Sequence, residues 1–246
     1  MIAHLRMYIR PETVAAHTRF WALIRDALGN GPQTLSKDSD FWRIWRKPAL
    51  LISQTCGMPY RTRLHGEVNL IGTPDYGLEG CAPGHYRSVF IARTDDTAQL
   101  TDYAGKRFAY NEALSQSGWA APIHHANAMN LRFGELVKSG AHLASAQVVA
   151  EGRADIAALD AVTWALIQRY EGFAKQLRVV DVTAPTPGLP YITSKSRDPK
   201  PIFDAVAHAI ESLDNADRET LMLKGVIRIP AEDYLAIPTP SGPRDY

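Results

Sequence analysis

The N-terminal part of the chain combines a short apolar segment with a longer stretch of helical periodicity. The run AHLRMYI, close to the N-terminus, predicts a β-strand. In the following segment, side chains that could share one buried helix face recur at helical spacing: Val14, His17, Trp21, Ile24 and Leu28. Pro11 suits the first turn of such a helix, and Gly29 and Gly31 are expected to end it.

Three short apolar runs further along predict buried strands. They are ALLISQT (49–55), VNLIGTP (68–74) and YRSVFIAR (86–93). Each is bounded by turn residues and is too short for an ordinary helix, which favours strands covered on both faces.

From about Thr94 onward, predicted strands alternate with predicted helices. The predicted strands are KRFAY, DIAALD and LRVVDVT, and the predicted helices run through NAMNLRFGELVKSG as far as Gly140, through HLASAQVVAEGRA and through AVTWALIQRYEGFA. This alternation predicts an α/β protein.

The C-terminal part is expected to return to the first half of the fold. After the Pro- and Gly-rich run APTPGLPYITS, helices are predicted near Pro201 and near DRETLML, followed by an irregular tail. The segment from about 94 to 184 resembles an α/β unit inserted into a larger one. We therefore predict two lobes, one made of 1–93 plus 185–246 and the other of 94–184.

Composition and the length of the apolar runs argue against a nucleic-acid-binding protein and against a membrane-spanning one. The 246 residues are 46% apolar and 22% charged, with a formal net charge of +1. A protein that holds nucleic acid through phosphates usually carries a basic excess, so nucleic acid is an unexpected partner. No run approaches the roughly 20 apolar residues that span a bilayer.

The N-terminus and the cysteines leave two questions open. The run MIAHLRMYIRPE lacks the features of a secretory leader, so the chain is expected in the cytoplasm if Met1 is the native start, or outside it if a leader was removed. Cys56 and Cys81 each lie in a glycine-flanked turn. They would pair in an oxidising compartment and remain thiols in a reducing one.

The run NEALSQSGWAAP, between a predicted strand and a predicted helix, is a candidate anion site. Ser115 or Ser117 can cap the helix, Gly118 allows a bound group to approach the backbone, and Pro122 is typical of a first turn. The unpaired N–H groups at a helix start bind phosphate-like anions. Simple capping explains the same residues, and both interpretations stay open.

Further polar residues are expected at strand ends and helix starts, where open α/β sheets bind ligands. They are Ser139, Gly140, His142 and Ser145 around one helix start, Asp160 just past a strand with Thr163 on the helix that follows, and Tyr60, Tyr86 and Ser88 at strand ends of the other lobe. Each has an alternative interpretation. Asp160 could only cap its helix, His142 could lie on the surface, and the tyrosines could bridge core and solvent.

The sequence predicts neither a metal site nor a cofactor site. No Cys/His set has zinc-ligand spacing, and the adjacent His124 and His125 cannot face each other on a helix. A nucleophilic triad is also unexpected, because there is no G-x-S-x-G turn and the chain order Ser, His, Asp fits no familiar arrangement.

Taken in order, four segments resemble the phosphate/phosphonate-binding proteins of ABC transporters. The segments are YRSVFIAR, LTDYAGKRFAYNEALSQSGWAAP, SGAHLASAQVVAEGRADIAALD and TPGLPYITS. The resemblance covers most of the chain. It implies the two-lobed type 2 periplasmic-binding fold, in which each lobe is a mixed sheet flanked by helices and two strands form the hinge.

The resemblance also implies a set of ligand contacts. The turn that holds the anion's oxygens corresponds here to Ser115, Gln116, Ser117 and Gly118. A histidine one helix later corresponds to His142, and an acid that contacts the far end of the ligand corresponds to Asp160. An aromatic residue of the first lobe that closes over the ligand corresponds to Tyr60, with Tyr86 as a second candidate.

The function that this resemblance implies is that of a non-catalytic solute-binding protein. It would act as a periplasmic monomer that closes on a small phosphonate- or phosphate-like anion and delivers it to the membrane subunits of an ABC transporter. Two alternatives use the same fold. One is a cytoplasmic enzyme with His142 and Asp160 as acid/base groups, and the other is a ligand-sensing or protein-interaction module.

Overall fold

The structure, a computed structural model, describes residues 1–246, and the chain divides between two units. The first unit consists of Met1–His85 and Pro187–Ala236, and the second of Tyr86–Thr186 and Ile237–Tyr246.

Twelve strands and nine α-helices make up the two units. In chain order the strands are β1 (Ile2–His4), β2 (Leu50–Gln54), β3 (Val68–Asp75), β4 (His85–Tyr86), β5 (Ser88–Arg93), β6 (Phe108–Tyr110), β7 (Leu136–Lys138), β8 (Ile156–Asp160), β9 (Leu177–Val182), β10 (Thr186–Pro187), β11 (Tyr191–Ser194) and β12 (Gly225–Ile227). The helices are α1 (Val14–Leu28), α2 (Phe41–Trp45), α3 (Gly57–Pro59), α4 (Ala121–Ala128), α5 (His142–Ala150), α6 (Ala161–Tyr170), α7 (Pro199–Ser212), α8 (Asn215–Leu221) and α9 (Ala231–Leu235).

The first unit is built on a mixed sheet with strand order β1-β2-β11-β3-β12. β1 and β2 are parallel, whereas β11 runs antiparallel to both of its neighbours. The predicted buried face of α1 is confirmed at Trp21 and Ile24, which lie in the main apolar cluster of this unit, whereas Val14 is 46% exposed and Phe20, which was not predicted, is buried. Gly29 ends α1 with a positive φ of 69°, which favours glycine.

The second unit is built on a mixed sheet with strand order β7-β6-β8-β5-β9. β6 is parallel to β7 and β8, and β5 is antiparallel to β8 and β9. Successive residues of β8 enter two different apolar clusters, with Ala157 and Leu159 on one face and Ile156 and Ala158 on the other. Burial on both faces explains the continuous apolar run in the sequence. Both units therefore have the predicted α/β architecture.

The unit boundaries differ from the predicted division at Arg93–Thr94. β5 belongs to the second unit, because it is hydrogen-bonded between β8 and β9. β4 and β10 form a separate two-stranded sheet, and the chain changes unit inside both of these strands. It changes unit a third time after Ala236, so the tail 237–246, predicted in the first lobe, belongs to the second unit.

The predicted helix ending at Gly140 is wrong over most of its length. α4 ends at Ala128, and Asn130 adopts a positive φ of 54° that stops the helix. An irregular segment then buries Leu131 and Phe133 in the core, and β7 pairs with β6. The apolar residues thus reach the core without helical geometry.

Smaller observations concern two strands, the start of α1 and the cysteines, whose pairing the sequence left open. The N-terminal strand ends at His4 rather than continuing to Ile9, and α1 begins at Val14, after Pro11. The last four residues of the run APTPGLPYITS form β11, which lies inside the first sheet. Cys56 and Cys81 form no disulfide.

None of the helices combines the length and the apolar composition that a membrane crossing requires.

Candidate anion-binding site

A buried turn, Ser115–Ala120, follows β6 and leads into α4; we call it the anion turn. The side-chain oxygen of Ser115 accepts a hydrogen bond from the backbone N–H of Gly118 at 2.9 Å. The N–H of Ala120 reaches the Ser115 carbonyl at 3.0 Å, which makes this a wide, π-helical turn. Capping is therefore the role of Ser115, and Ser117 is left for another contact.

Ser117 and His142 are brought together although 25 residues separate them in the chain. The Ser117 hydroxyl lies 2.9 Å from the Nε2 atom of His142, which is the first residue of α5. The Nδ2 atom of Asn111 lies 3.5 Å from the same nitrogen. Two helix starts and the end of β6 thus place a hydroxyl, an imidazole and a carboxamide side by side.

Burial keeps His142 neutral. The residue is half-buried as a whole, but its Nδ1 atom is removed from solvent and has no hydrogen-bond partner of good geometry. Desolvation lowers the pKa of His142 to about 4, and the carbonyl of Ala158 opposes this shift only in part. At neutral pH the imidazole therefore acts as an uncharged hydrogen-bonding group.

Gly118 has no space for a side chain. A Cβ atom built on this residue would lie 1.9 Å from Oδ1 of Asn111 and 3.1 Å from Cε1 of His142. Asn111 was not identified from the sequence, because one asparagine after a strand is a common turn signal. Its Oδ1 atom is buried and has no hydrogen-bond partner, so it is the polar atom of this site most in need of a donor.

The loop before α5 is fixed to the end of β6 by hydrogen bonds of Ser139. Its hydroxyl lies 3.1 Å from the Tyr110 carbonyl and 2.7 Å from the Ser145 hydroxyl. The N–H of Gly140, a residue with a φ of 88°, donates to the Asn111 carbonyl at 3.0 Å. These bonds set the position of His142, so Ser139, Gly140 and Ser145 support the site.

Asp160 caps α6, as one of the two interpretations predicted. Its Oδ1 atom accepts hydrogen bonds from the backbone N–H groups of Val162 at 2.7 Å and Thr163 at 3.1 Å. The residue is 2% exposed and lies opposite Ser88, whose buried hydroxyl has no hydrogen-bond partner. A role of Asp160 toward a ligand stays a prediction.

The two tyrosines belong to different units. Tyr60 lies in the first unit, where its ring packs edge-to-face on Tyr234 with centroids 5.4 Å apart. Burial raises the pKa of the Tyr60 hydroxyl. Tyr86, in β4, belongs to the second unit and is 2% exposed. Both side chains have the packed environment of core residues, and their predicted ligand contacts stay predictions.

No group of three or more His, Cys, Asp or Glu side chains is arranged to hold a metal ion.

Comparison with protein families gives one match that covers most of the chain. Residues 56–233 match the family described as the phosphonate, periplasmic substrate-binding protein of ABC transporters. Among curated proteins, none matches this sequence significantly.

Solved structures with the same fold include phosphonate-binding proteins. PhnD1 from Prochlorococcus marinus, in complex with methylphosphonate, has a TM-score of 0.74 and 15% identity over 95% of this chain and 93% of that one. A binding protein component of an ABC phosphonate transporter from Pseudomonas aeruginosa has a TM-score of 0.70 and 16% identity, covering 96% and 82%. A protein from Xanthomonas citri bound to ATP has a TM-score of 0.69 and 16% identity, covering 96% and 95%. The predicted type 2 periplasmic-binding fold is thereby confirmed.

Proposed function

Because the chain belongs to the family of phosphonate-binding periplasmic substrate-binding proteins of ABC transporters, we propose that its anion turn holds the charged end of a phosphonate-like solute. The hydroxyl and backbone N–H of Ser117 and the imidazole of His142 are the contacts we assign to the anion's oxygens. The two units then correspond to the two lobes implied by the sequence resemblance.

The observation that carries this proposal is the pair formed by Ser117 and His142 at a helix start. The two polar atoms lie 2.9 Å apart, and the first turn after Ser115 contains no acidic side chain. No carboxylate of the turn itself compensates the positive end of the helix, and an oxyanion can compensate it.

The number of available contacts suits a small anion. A micromolar complex requires about 8 kcal/mol of binding free energy. Hydrogen bonds to a charged group contribute about 1.5–3 kcal/mol each. One hydroxyl, one imidazole and the backbone N–H of Ser117 would together contribute about 4.5–9 kcal/mol, which reaches this range, and none of them has to carry a full charge.

We propose that the protein binds this solute without transforming it. A general base works best when its pKa is close to the working pH, whereas burial lowers the pKa of His142 to about 4. His142 is therefore a weak base at neutral pH, and its environment suits a ligand contact better than an acid/base role.

The remaining parts of the proposal follow from the family. We place the protein in the periplasm, as a monomer that delivers the bound anion to the membrane subunits of its transporter. Methylphosphonate, the ligand of PhnD1, is the first compound to test, with inorganic phosphate as the second.

The decisive experiment is a thermal-shift titration with methylphosphonate and with phosphate. The wild-type protein is expected to melt at a higher temperature as ligand is added, since a ligand that binds only the folded state stabilises it. In the double variant Ser117→Ala/His142→Ala, the shift should disappear.

A matched control is the exposed serine–histidine pair of α7. The hydroxyl of Ser212 lies 3.5 Å from Nε2 of His208, in the first unit. The variant Ser212→Ala/His208→Ala should keep the whole ligand-induced shift. An equal shift in wild type and in the Ser117/His142 double variant would refute the assignment of these two residues.

A further inference from the structure

We infer that residues 237–246, which we call the strap, position the anion turn for its ligand. The strap follows α9 and belongs to the second unit, where Ser241 and Tyr246 contact Trp119 of the anion turn. For its affinity readout the inference rests on the function proposed above.

The first contact between strap and turn is made by the indole of Trp119. Its Nε1–H donates a hydrogen bond to the carbonyl of Ser241 at 3.0 Å. The side chain is completely buried and lies against Tyr110, the last residue of β6, with ring centroids 5.1 Å apart. Trp119 therefore joins the strap to the strand that leads into the turn.

The second contact is made by the ring of Tyr246. It meets Trp119 edge-to-face at 5.4 Å, while its hydroxyl oxygen accepts a hydrogen bond from the backbone N–H of Phe133 at 2.9 Å. The guanidinium of Arg132 lies 4.9 Å from the centre of the same ring. Trp119 is thus enclosed by aromatic rings from β6 and from the strap.

These contacts act on the ligand-binding atoms through one peptide unit. Trp119 follows Gly118 directly, and Gly118 is fitted between Ser115, Asn111 and His142 with no free space. A rotation of the indole would move the backbone of Gly118 and, with it, the amides at the helix start. Because the turn is π-helical, its wide hydrogen-bond ring gives it less intrinsic stability than an α-helical turn.

The test uses three variants of graded severity. The chain truncated after Ala236 lacks the whole strap. Trp119→Phe removes the N–H group together with part of the buried ring system, and Tyr246→Phe removes only the hydroxyl that contacts Phe133. Calorimetric affinities for methylphosphonate and amide hydrogen exchange at 116–120 without ligand are measured on each.

We expect the truncated chain to bind methylphosphonate about tenfold more weakly, since a loosened supporting shell weakens a preorganised site. Trp119→Phe should show a smaller loss in the same direction, and Tyr246→Phe the smallest. Exchange at Gly118 should become faster in the same order.

The control is a variant that destabilises the apolar core without touching the anion turn. Leu100 is buried in the same apolar cluster as Trp119 but lies outside the anion turn. Leu100→Ala should lower the melting temperature and leave both the affinity and the exchange of Gly118 unchanged at temperatures where the protein is folded.

The outcomes separate this inference from the proposed function. Wild-type affinity and wild-type exchange at Gly118 in the truncated chain would overturn the role of the strap, as would equal effects in Leu100→Ala. If the wild-type protein binds neither methylphosphonate nor phosphate, the proposed function fails. Amide exchange at 116–120 then tests alone whether the strap positions the anion turn. If the truncated chain does not fold, the two point variants decide it.

Discussion

The second unit contains two buried helix starts that the sequence describes in similar terms and that the structure treats differently. One is the anion turn after β6, and the other is the start of α6 after β8, where Asp160 is the cap. β6 and β8 are neighbouring strands of the same sheet. At the cap, the carboxylate of Asp160 accepts two backbone N–H groups of its own helix. At the turn, the capping atom is the uncharged hydroxyl of Ser115.

The difference lies in what compensates the positive end of each helix. A carboxylate at a helix start interacts favourably with the helix dipole, so α6 is stabilised from within the chain. The anion turn has no acidic side chain in its first turn, and the pKa of the histidine beside it lies well below neutrality. Two similar sequence patterns thus lead to one structural cap and one candidate ligand site.

The protonation state of His142 offers the largest test of this contrast. Its folded-state pKa of about 4 lies below the ordinary value of 6.5, so the unfolded chain binds more protons between these values. The contribution of neutral His142 to the free energy of unfolding should therefore be fully present above about pH 6.5. It should fall as the pH drops toward 4, by up to about 3 kcal/mol.

Urea unfolding between pH 7.5 and 4 measures this effect as the difference between wild type and His142→Gln. The variant should show a flatter dependence on pH. Burial also lowers the pKa of His4 and of His17, and both residues contribute equally to the two proteins. Parallel curves would show that His142 is not held neutral by its site.

Gly118 provides a test of intermediate size. In Gly118→Ala the new methyl group would overlap Oδ1 of Asn111 and press on His142, which should cost about 2 kcal/mol of stability and weaken anion binding. Chemical denaturation and calorimetry measure the two effects.

Asn111→Ala, combined with Gly118→Ala, should recover part of the lost stability because it removes the overlapping atom. Gly172→Ala is the control in the same unit, since nothing lies within 4 Å of the position that its new methyl group would take. A loss of stability in Gly118→Ala no larger than that in Gly172→Ala would contradict the close packing around Gly118.

The cap of α6 gives the smallest expected effect. Asp160→Ala removes the acceptor of two backbone N–H groups and should lower stability by about 1 kcal/mol, whereas Asp160→Asn keeps an acceptor and should cost less. Denaturant midpoints measure both variants.

Asp198, an exposed cap of α7 with a single bond to the N–H of Lys200, is the matched control and should have a smaller effect than Asp160. A large loss of anion affinity in Asp160→Asn, with little change in stability, would instead assign Asp160 to the ligand and remove the contrast between the two helix starts.

The sequence predicted those parts of the fold in which pattern and geometry agree. β8 and α6 follow the apolar pattern closely, because β8 is buried on both sides of its sheet and α6 along one face. α1 and β9 also form where the sequence predicts them, although Val14 and Val179 are exposed. The helix predicted to end at Gly140 failed because Asn130 takes a left-handed conformation and the next apolar residues pack as an irregular segment.

The candidate site was predictable only in part. Ser117 and His142 follow from the resemblance, and the structure brings them into contact. Asn111 and the strap were not predicted, because their contributions depend on which chain segments meet in space. A single asparagine, or a tail containing proline and glycine, has the same local pattern whether it supports a site or only closes a turn.

The order of strands in the first sheet has a consequence for biosynthesis. β11 lies between β2 and β3, although those two strands leave the ribosome more than a hundred residues earlier. Until β11 emerges, its place between them is empty and their facing edges lack a partner. The first sheet is therefore completed late, after nearly all of the second unit has been synthesised. Until then the N-terminal region is incompletely folded and prone to aggregation.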